Sequence, residues 1–289
     1  MRIANLHPQG GFEAVDSYRR FATSVKENAR YIHSKEVRRF LATVAGTSKK
    51  RSTRIESGAV LWRAQSGYAW RKEYEGTDHE YEVPDAYPPD RMKPAAQIVS
   101  DGRVNPRGIP CLYLASSKDT AMAEVRPWLS SYISVAQFET LRDLSLLDCS
   151  KDNRVFPTWL CTFPGPVSVS LEEREKVVWG EIAYAFSEPI APHDSPIEYV
   201  PTQILAETFR SHGFDGVIYR SLLGGGYTVA LFDCGAAELI NCCLYETRKI
   251  TFAFEQCDNP YFVANHHPKL QQKDSVGNPS NLPANTDGG

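Results

Sequence analysis

The chain has 289 residues, 42% of them hydrophobic and 23% charged, which is the balance of a soluble globular protein. A formal net charge of -3 provides no basic field for a phosphate backbone, so direct nucleic-acid binding is disfavoured as the main function. The seven cysteines include no Cys-x-x-Cys pair, the first eleven residues carry no apolar signal segment, and no stretch is long enough to cross a bilayer. We therefore expect a cytoplasmic protein with free thiols that does not associate with membranes.

Residues 1–56 are predicted to form a helical N-terminal extension. Apolar residues recur there at steps of three and four, namely Tyr18, Phe21, Val25 and Ile32. A second apolar set follows a predicted cap at Ser34. The pattern predicts two amphipathic helices with a break near His33 and an end at Gly46.

A short strand is predicted at residues 58–63, where Val60 and Trp62 alternate with Leu61 and Arg63. By itself, Arg63 could be an edge-strand arginine paired with a surface carboxylate.

Residues 71–97 are acidic and contain four prolines, which predicts a surface loop or insertion. The run Asp78-His79-Glu80 within it is a poor metal site, because consecutive residues rarely face one point, and we expect no metal.

Residues 101–127 are the most informative stretch, because three consecutive predicted elements each carry one polar side chain. Arg103 lies in a loop with glycine and proline on both sides. Tyr113 lies in a strand predicted at residues 111–115, on the face opposite Leu112 and Leu114.

The third side chain, Glu124, lies in a short helix that is predicted to be capped by Ser116 and to end before Pro127. A cation, a phenol and a carboxylate on successive elements could therefore meet around one ligand.

Further strands are predicted at residues 132–138 and 144–147, and further helices at residues 171–186 and from Pro201 to Gly213. Residues 213–233 predict a hairpin in which Ser221 and three glycines separate two strands. The glycines match neither the Walker A phosphate loop nor the glycine-rich loop of dinucleotide-binding folds. A strand follows them where both loops need a helix, and there is no Gly-Lys-Ser/Thr. Residues 258–289 are polar enough to predict a disordered tail.

Two of these stretches resemble the RES domain. The residues that carry the resemblance are Gly-Arg-Val-Asn-Pro-Arg-Gly-Ile-Pro from 102, Leu-Tyr-Leu-Ala from 112, and Asp-Thr-Ala-Met-Ala-Glu-Val-Arg-Pro from 119. The later hairpin with Ser221 follows in the order found in that family, so the resemblance covers roughly residues 58–232. RES domains are the toxin half of a bacterial toxin–antitoxin class, act on nicotinamide adenine dinucleotide (NAD+), and resemble ADP-ribosyltransferases in fold.

The resemblance implies an α+β fold: a mixed, mostly antiparallel curved sheet with a cleft, flanked by helices, after the helical N-terminal extension. It implies a catalytic domain at residues 57–257. Its expected catalytic residues are Arg103, Tyr113, Glu124 and Ser221. Arg63 and Asn105 are expected to contact the nucleotide.

The implied activity is cleavage of the nicotinamide–ribose bond of NAD+, with inorganic phosphate or water as acceptor, in a growth-inhibiting toxin. The residues permit it, since nicotinamide leaves NAD+ as a neutral base and one carboxylate can stabilise the oxocarbenium character of the ribose. The expected partners are NAD+ and an antitoxin that blocks the cleft, and a homodimer is left open. The alternatives are transfer of ADP-ribose to a protein and a non-catalytic interaction module in which the N-terminal helices bind the partner.

Overall fold

The computed structural model of the protein describes residues 11–95, 99–151, 169–189 and 195–256. Six α-helices lie in these ranges: α1 (Ser17–Glu27), α2 (Lys35–Ser48), α3 (Pro89–Met92), α4 (Lys118–Glu124), α5 (Leu171–Ser187) and α6 (Val200–Ser211). Two 3₁₀ turns, Lys49–Arg51 and Pro196–Tyr199, follow α2 and precede α6. Ten strands lie in the same ranges: β1 (Ser52–Ile55), β2 (Val60–Ser66), β3 (Ala69–Glu73), β4 (Tyr81–Asp85), β5 (Leu112–Ala115), β6 (Tyr132–Thr140), β7 (Leu144–Cys149), β8 (Gly216–Arg220), β9 (Tyr227–Leu231) and β10 (Ala237–Glu246).

The main sheet has eight strands in the order β1-β7-β8-β9-β5-β2-β6-β10. Strands β7 and β8 pair in parallel, and the other pairings among the described strands are antiparallel. This confirms the predicted α+β class with a mixed, mostly antiparallel sheet.

The sheet opens between β5 and β2. The register between these two strands consists of Trp62 opposite Ala115, whereas β5 pairs with β9 at four positions and β2 pairs with β6 at seven. One residue beyond that pair, the Nη1 of Arg63 donates a hydrogen bond of 3.1 Å to the carbonyl oxygen of Tyr113. The carbonyl of Tyr113, which a backbone N–H of the neighbouring strand would bond in a regular sheet, is therefore bonded by the side chain of Arg63.

The two N-terminal helices pack into the same apolar core as α5 and α6. Phe21 and Phe40 stack with ring centroids 4.6 Å apart, and both share a core cluster with Trp179 of α5 and Phe209 of α6. The predicted cap at Ser34 is confirmed, since its side chain accepts the backbone N–H of Val37.

The predicted end of α2 at Gly46 is wrong. The helix continues to Ser48, because a single glycine costs only about 1 kcal/mol relative to alanine in a helix and the residues around it are buried in the core. None of the helices in the described ranges combines the length and apolar character needed to span a membrane.

The sequence predicted a surface loop or insertion at residues 71–97, and the described part of this stretch contains regular secondary structure. Strands β3 and β4 form a separate two-stranded sheet there, and α3 follows. Paired charges support this hairpin, including Arg71 with Asp85 at 2.8 Å and Lys72 with Glu80 at 2.8 Å. Two of the acidic residues of this stretch, Glu80 and Asp85, thus pair with basic side chains of β3.

Strand β10 was not predicted, although it is ten residues long and pairs antiparallel with β6. The described part of the chain ends at residue 256, so the predicted disordered tail at residues 258–289 lies outside it.

Candidate active site

The loop that carries Arg103 is held by hydrogen bonds from two other elements. The hydroxyl of Tyr113 on β5 donates to Oδ1 of Asn105 at 2.7 Å and accepts the backbone N–H of Val104 at 3.1 Å. From α6, the Nε2 of Gln203 donates to the carbonyl oxygens of Gly102 at 2.9 Å and Asn105 at 3.0 Å. Because these bonds fix the backbone on both sides of Arg103, the loop is a rigid support for that guanidinium.

Gly102 allows this close packing. A Cβ at this position would lie 2.6 Å from Oδ1 of Asn105 and 2.7 Å from the hydroxyl of Tyr113, both well inside van der Waals contact. Beyond it, Nη1 of Arg103 lies 3.4 Å from the carbonyl oxygen of Ala185 in α5. The glycine of the motif is therefore needed for the arginine that follows it to be held in place.

Tyr113 has the orientation that strand alternation predicts. Leu112 and Leu114 are fully buried in a core cluster on one side of the sheet, and Tyr113 packs against the cluster on the other side. Burial raises the pKa of the Tyr113 phenol well above 10.0, so it stays protonated and can donate to Asn105 at neutral pH.

Helix α4 presents Glu124 at its last turn. The predicted cap at Ser116 is wrong by one residue: the side chain of Ser117 caps the helix by accepting the N–H of Thr120 at 3.1 Å. Ser116 instead accepts the N–H of Tyr227 at 3.1 Å. Both serines lie next to the helix start, and the position of β9 decides which one caps.

Ser221 holds the glycine turn that packs against α4. Its Oγ accepts the backbone N–H groups of Leu223 at 3.3 Å and Gly224 at 2.9 Å, and the carbonyl of Gly224 in turn accepts the hydroxyl of Thr120 at 3.1 Å. Ser221 is buried and is not among the residues that line the cavity described below. A contact between Ser221 and a substrate stays a prediction. What the structure shows is that Ser221 supports α4 through the glycine turn.

A cavity of about 270 Å³ lies where β5 and β2 diverge. Four of the predicted site residues line it: Arg63, Arg103, Tyr113 and Glu124. Arg103 and Glu124, the pair on which the sequence interpretation depends, thus face one hollow. Its wall also includes three aromatic residues that the sequence did not single out, Trp62, Tyr199 and Tyr219.

The electrostatics of this cavity are set by two arginines and one glutamate. Burial raises the pKa of the Tyr219 phenol above its ordinary value, while the charge of Arg103 opposes that rise and the charge of Glu124 adds to it. Both charges therefore act on the same hydroxyl from inside the cavity. Tyr219 shares one face of β8 with the buried Val217, opposite Ile218, so alternation predicts its face, but nothing in the sequence showed that its hydroxyl would meet a site.

A second cavity, of about 390 Å³, shares Gly102, Arg63 and Tyr113 with the first. Asn105 lines this second cavity, with its side-chain amide donating to the carbonyl oxygens of Ser100 and Pro106. Arg63 thus borders both hollows. Within the ranges that the structure describes, no three histidine, cysteine, aspartate or glutamate side chains group as metal ligands.

Comparison with known proteins gives a family and one solved structure. The family model of the RES domain matches residues 60–255. A search of functionally curated proteins gave no match. Among solved structures, the chain is similar to one in the crystal structure of the M. tuberculosis MbcT–MbcA toxin–antitoxin complex, with 15% identity over 70% of this chain and 91% of that one and a TM-score of 0.35. Because the family model covers well over half of the sequence and includes every residue of the candidate site, the chain belongs to the RES domain family.

Proposed function

We propose that this protein cleaves the nicotinamide–ribose bond of NAD+ and releases nicotinamide. One observation carries the proposal. Arg103 and Glu124 come from different elements, and both line the cavity at the divergence of β5 and β2. Membership of the RES family, whose members act on NAD+, supports the choice of substrate.

The residues that line the cavity suit different parts of the dinucleotide. The guanidinium groups of Arg63 and Arg103 would make charge-assisted bonds to the pyrophosphate. The aromatic residues Trp62, Tyr199 and Tyr219 in the same wall would provide contacts for a nicotinamide or adenine ring. A wall with two cations and one carboxylate also suits a substrate of net negative charge.

Glu124 is the group that we assign to the reacting ribose. When the bond to nicotinamide breaks, positive charge develops on the ribose, and a carboxylate close to it stabilises that charge or orients the ribose hydroxyls. Glu124 ends its helix and is exposed, so an acceptor from solvent can reach the same carbon. The acceptor we propose is inorganic phosphate or water.

The consequence for the cell would be depletion of NAD+, and we propose that the protein is a growth-inhibiting toxin held by an antitoxin. The antitoxin would act by covering the cavity that holds Arg103 and Glu124. This part of the proposal rests on the family alone.

The test is an analysis of products from NAD+ and the purified protein. We expect nicotinamide together with ADP-ribose 1″-phosphate in phosphate buffer, or free ADP-ribose when water is the acceptor. Labelled ADP-ribose on a protein would instead establish transfer to a protein target. If the folded protein releases no nicotinamide in either buffer and forms no labelled protein, the enzymatic proposal is wrong and an interaction module remains.

A further inference from the structure

The second cavity is also lined by a segment that the candidate site does not use. This segment is α3 and the residue after it, which bring Arg91 and Lys93 to the wall of the cavity. Between them, Met92 is fully buried in the core cluster beneath the sheet. The buried methionine anchors the backbone of the segment, from which the exposed Arg91 and the partly exposed Lys93 reach the wall of the cavity.

The charge of this cavity is strongly positive. Arg63, Arg91 and Lys93 line it, and Asp101 is the one carboxylate among its described residues. Oδ1 of Asp101 already accepts the backbone N–H of Arg107 at 3.0 Å and the amide of Gln203 at 3.3 Å. Arg91 lies 5.0 Å from the ring centroid of Tyr87 and has no carboxylate partner within the described ranges.

Arg63 lines this cavity and is half-buried. Its Nε is buried and has no hydrogen-bond partner in the described structure, and its Nη1 bonds only a carbonyl oxygen. Burial lowers the pKa of the guanidinium, and the groups that oppose this are Cys234 and Tyr113. Burial raises the pKa of each of those two, so both are neutral near pH 7 and neither balances the charge.

A guanidinium whose Nε is buried without a partner is costly, and an anion in the adjoining cavity would offset that cost. Phosphate suits the wall, because guanidinium and ammonium donors make short, strong bonds to phosphate oxygens.

We propose that the second cavity is a phosphate-binding site formed by Lys93, Arg91 and the half-buried Arg63. The phosphate group is either free orthophosphate, placed to act as acceptor, or one phosphate of the bound dinucleotide. The role in turnover rests on the proposed function, whereas the binding of phosphate does not.

The test measures binding, without turnover. The double variant Arg91→Gln/Lys93→Gln is compared with wild type and with Arg30→Gln/Lys35→Gln, a control that removes the same charge from two exposed residues lining neither cavity. Calorimetry at constant ionic strength measures the affinity for orthophosphate, and separately for ADP-ribose in phosphate-free buffer. We expect the double variant to weaken phosphate binding at least about tenfold, the loss of about one charge-assisted bond, and the control to leave it unchanged.

The two sources of phosphate give different results. If the site holds a phosphate of the dinucleotide, the variant also weakens ADP-ribose binding and orthophosphate competes with it. If the site holds free orthophosphate, ADP-ribose affinity is unchanged and both ligands bind together.

The proposal is overturned if wild type binds neither ligand, or if the double variant binds both as wild type does. Should the double variant unfold, Lys93→Gln alone leaves the contact between Arg91 and Tyr87 intact and gives the same readouts. Failure to release nicotinamide would count against the proposed function and leave the phosphate site standing.

Discussion

At the scale of single residues, the polar groups of the site divide into those that face the cavity and those that hold others in place. Tyr113 does both, since its ring lines the cavity while its hydroxyl bonds Asn105 and the N–H of Val104. Both hydrogen bonds of the hydroxyl therefore go to the loop that carries Arg103. Loss of the hydroxyl should loosen that loop and with it the position of Arg103.

Tyr113→Phe should lower the free energy of unfolding by about 1–3 kcal/mol, because the buried Oδ1 of Asn105 and the N–H of Val104 each lose a partner. It should also raise the KM for NAD+, since the loop that positions Arg103 is loosened. Urea unfolding and steady-state kinetics measure the two effects. The control is Tyr184→Phe, whose exposed hydroxyl makes one 3.3 Å bond to Glu188 and should matter by less than about 0.5 kcal/mol. Equal stability of Tyr113→Phe and wild type would contradict this role.

At the scale of elements, the position of α4 depends on the glycine turn between β8 and β9. A Cβ at Gly224 would lie 2.5 Å from the Cα of Thr120, and one at Gly226 would overlap the Oγ of Ser116. Both contacts fall at the start of the helix whose last residue is Glu124. The glycines thus serve close approach of two elements, in addition to the hairpin that the sequence predicted.

Gly224→Ala should displace α4 and therefore reduce nicotinamide release, together with a loss of about 1–3 kcal/mol of stability from overpacking. The matched control is Gly225→Asn, because nothing lies within 4 Å of that position and asparagine tolerates its φ of +73°. Thermal unfolding and the nicotinamide assay check both variants. Full activity in Gly224→Ala would show that α4 does not depend on this contact.

Local sequence patterns were enough to predict the strands and helices that carry the candidate site. They did not predict which strands and loops lie next to each other in the fold. Alternation placed Leu112 and Leu114 opposite Tyr113, and the Ser34 cap followed from composition. The divergence of β5 from β2 depends on a register between strands separated by about fifty residues, which no local pattern contains. Gln203 was missed for the same reason, since its role is to bond a distant loop.

At the scale of the whole molecule, the N-terminal helices are part of the core that supports the sheet. Phe12, Phe21, Phe40 and Val44 are buried in the same cluster as Trp179 and Phe209. The helices are therefore expected to unfold together with the sheet that carries the site.

Phe21→Ala should lower the free energy of unfolding of the whole protein by about 3–5 kcal/mol, because a ring that is 2% exposed leaves a cavity behind. The control is Ile32→Ala, at a side chain that is 84% exposed and should matter by less than about 0.5 kcal/mol. Unfolding is followed by circular dichroism and by tryptophan fluorescence. Two separate transitions in wild type would contradict a shared core.

Stability should fall as the pH rises above about 9. Burial raises the pKa of the Cys149 thiol from 9.0 to about 12, so the unfolded chain loses this proton before the folded protein does. The stabilisation is full below pH 9.0 and is lost as the pH approaches 12. Cys149→Ala should flatten the decline in unfolding free energy between pH 9.0 and about 12, and the exposed Cys243→Ala should not. An unchanged slope in Cys149→Ala would contradict this origin.

The central claim, that Glu124 acts on the ribose of NAD+ in the cavity it shares with Arg103, is tested most directly by nicotinamide release from Glu124→Gln. The matched control is Glu207→Gln, an exposed glutamate of α6 that does not line the cavity. We predict that Glu124→Gln lowers kcat by about 10²–10³ while the protein stays folded, and that Glu207→Gln equals wild type. Nicotinamide release by Glu124→Gln at the wild-type rate would contradict the account.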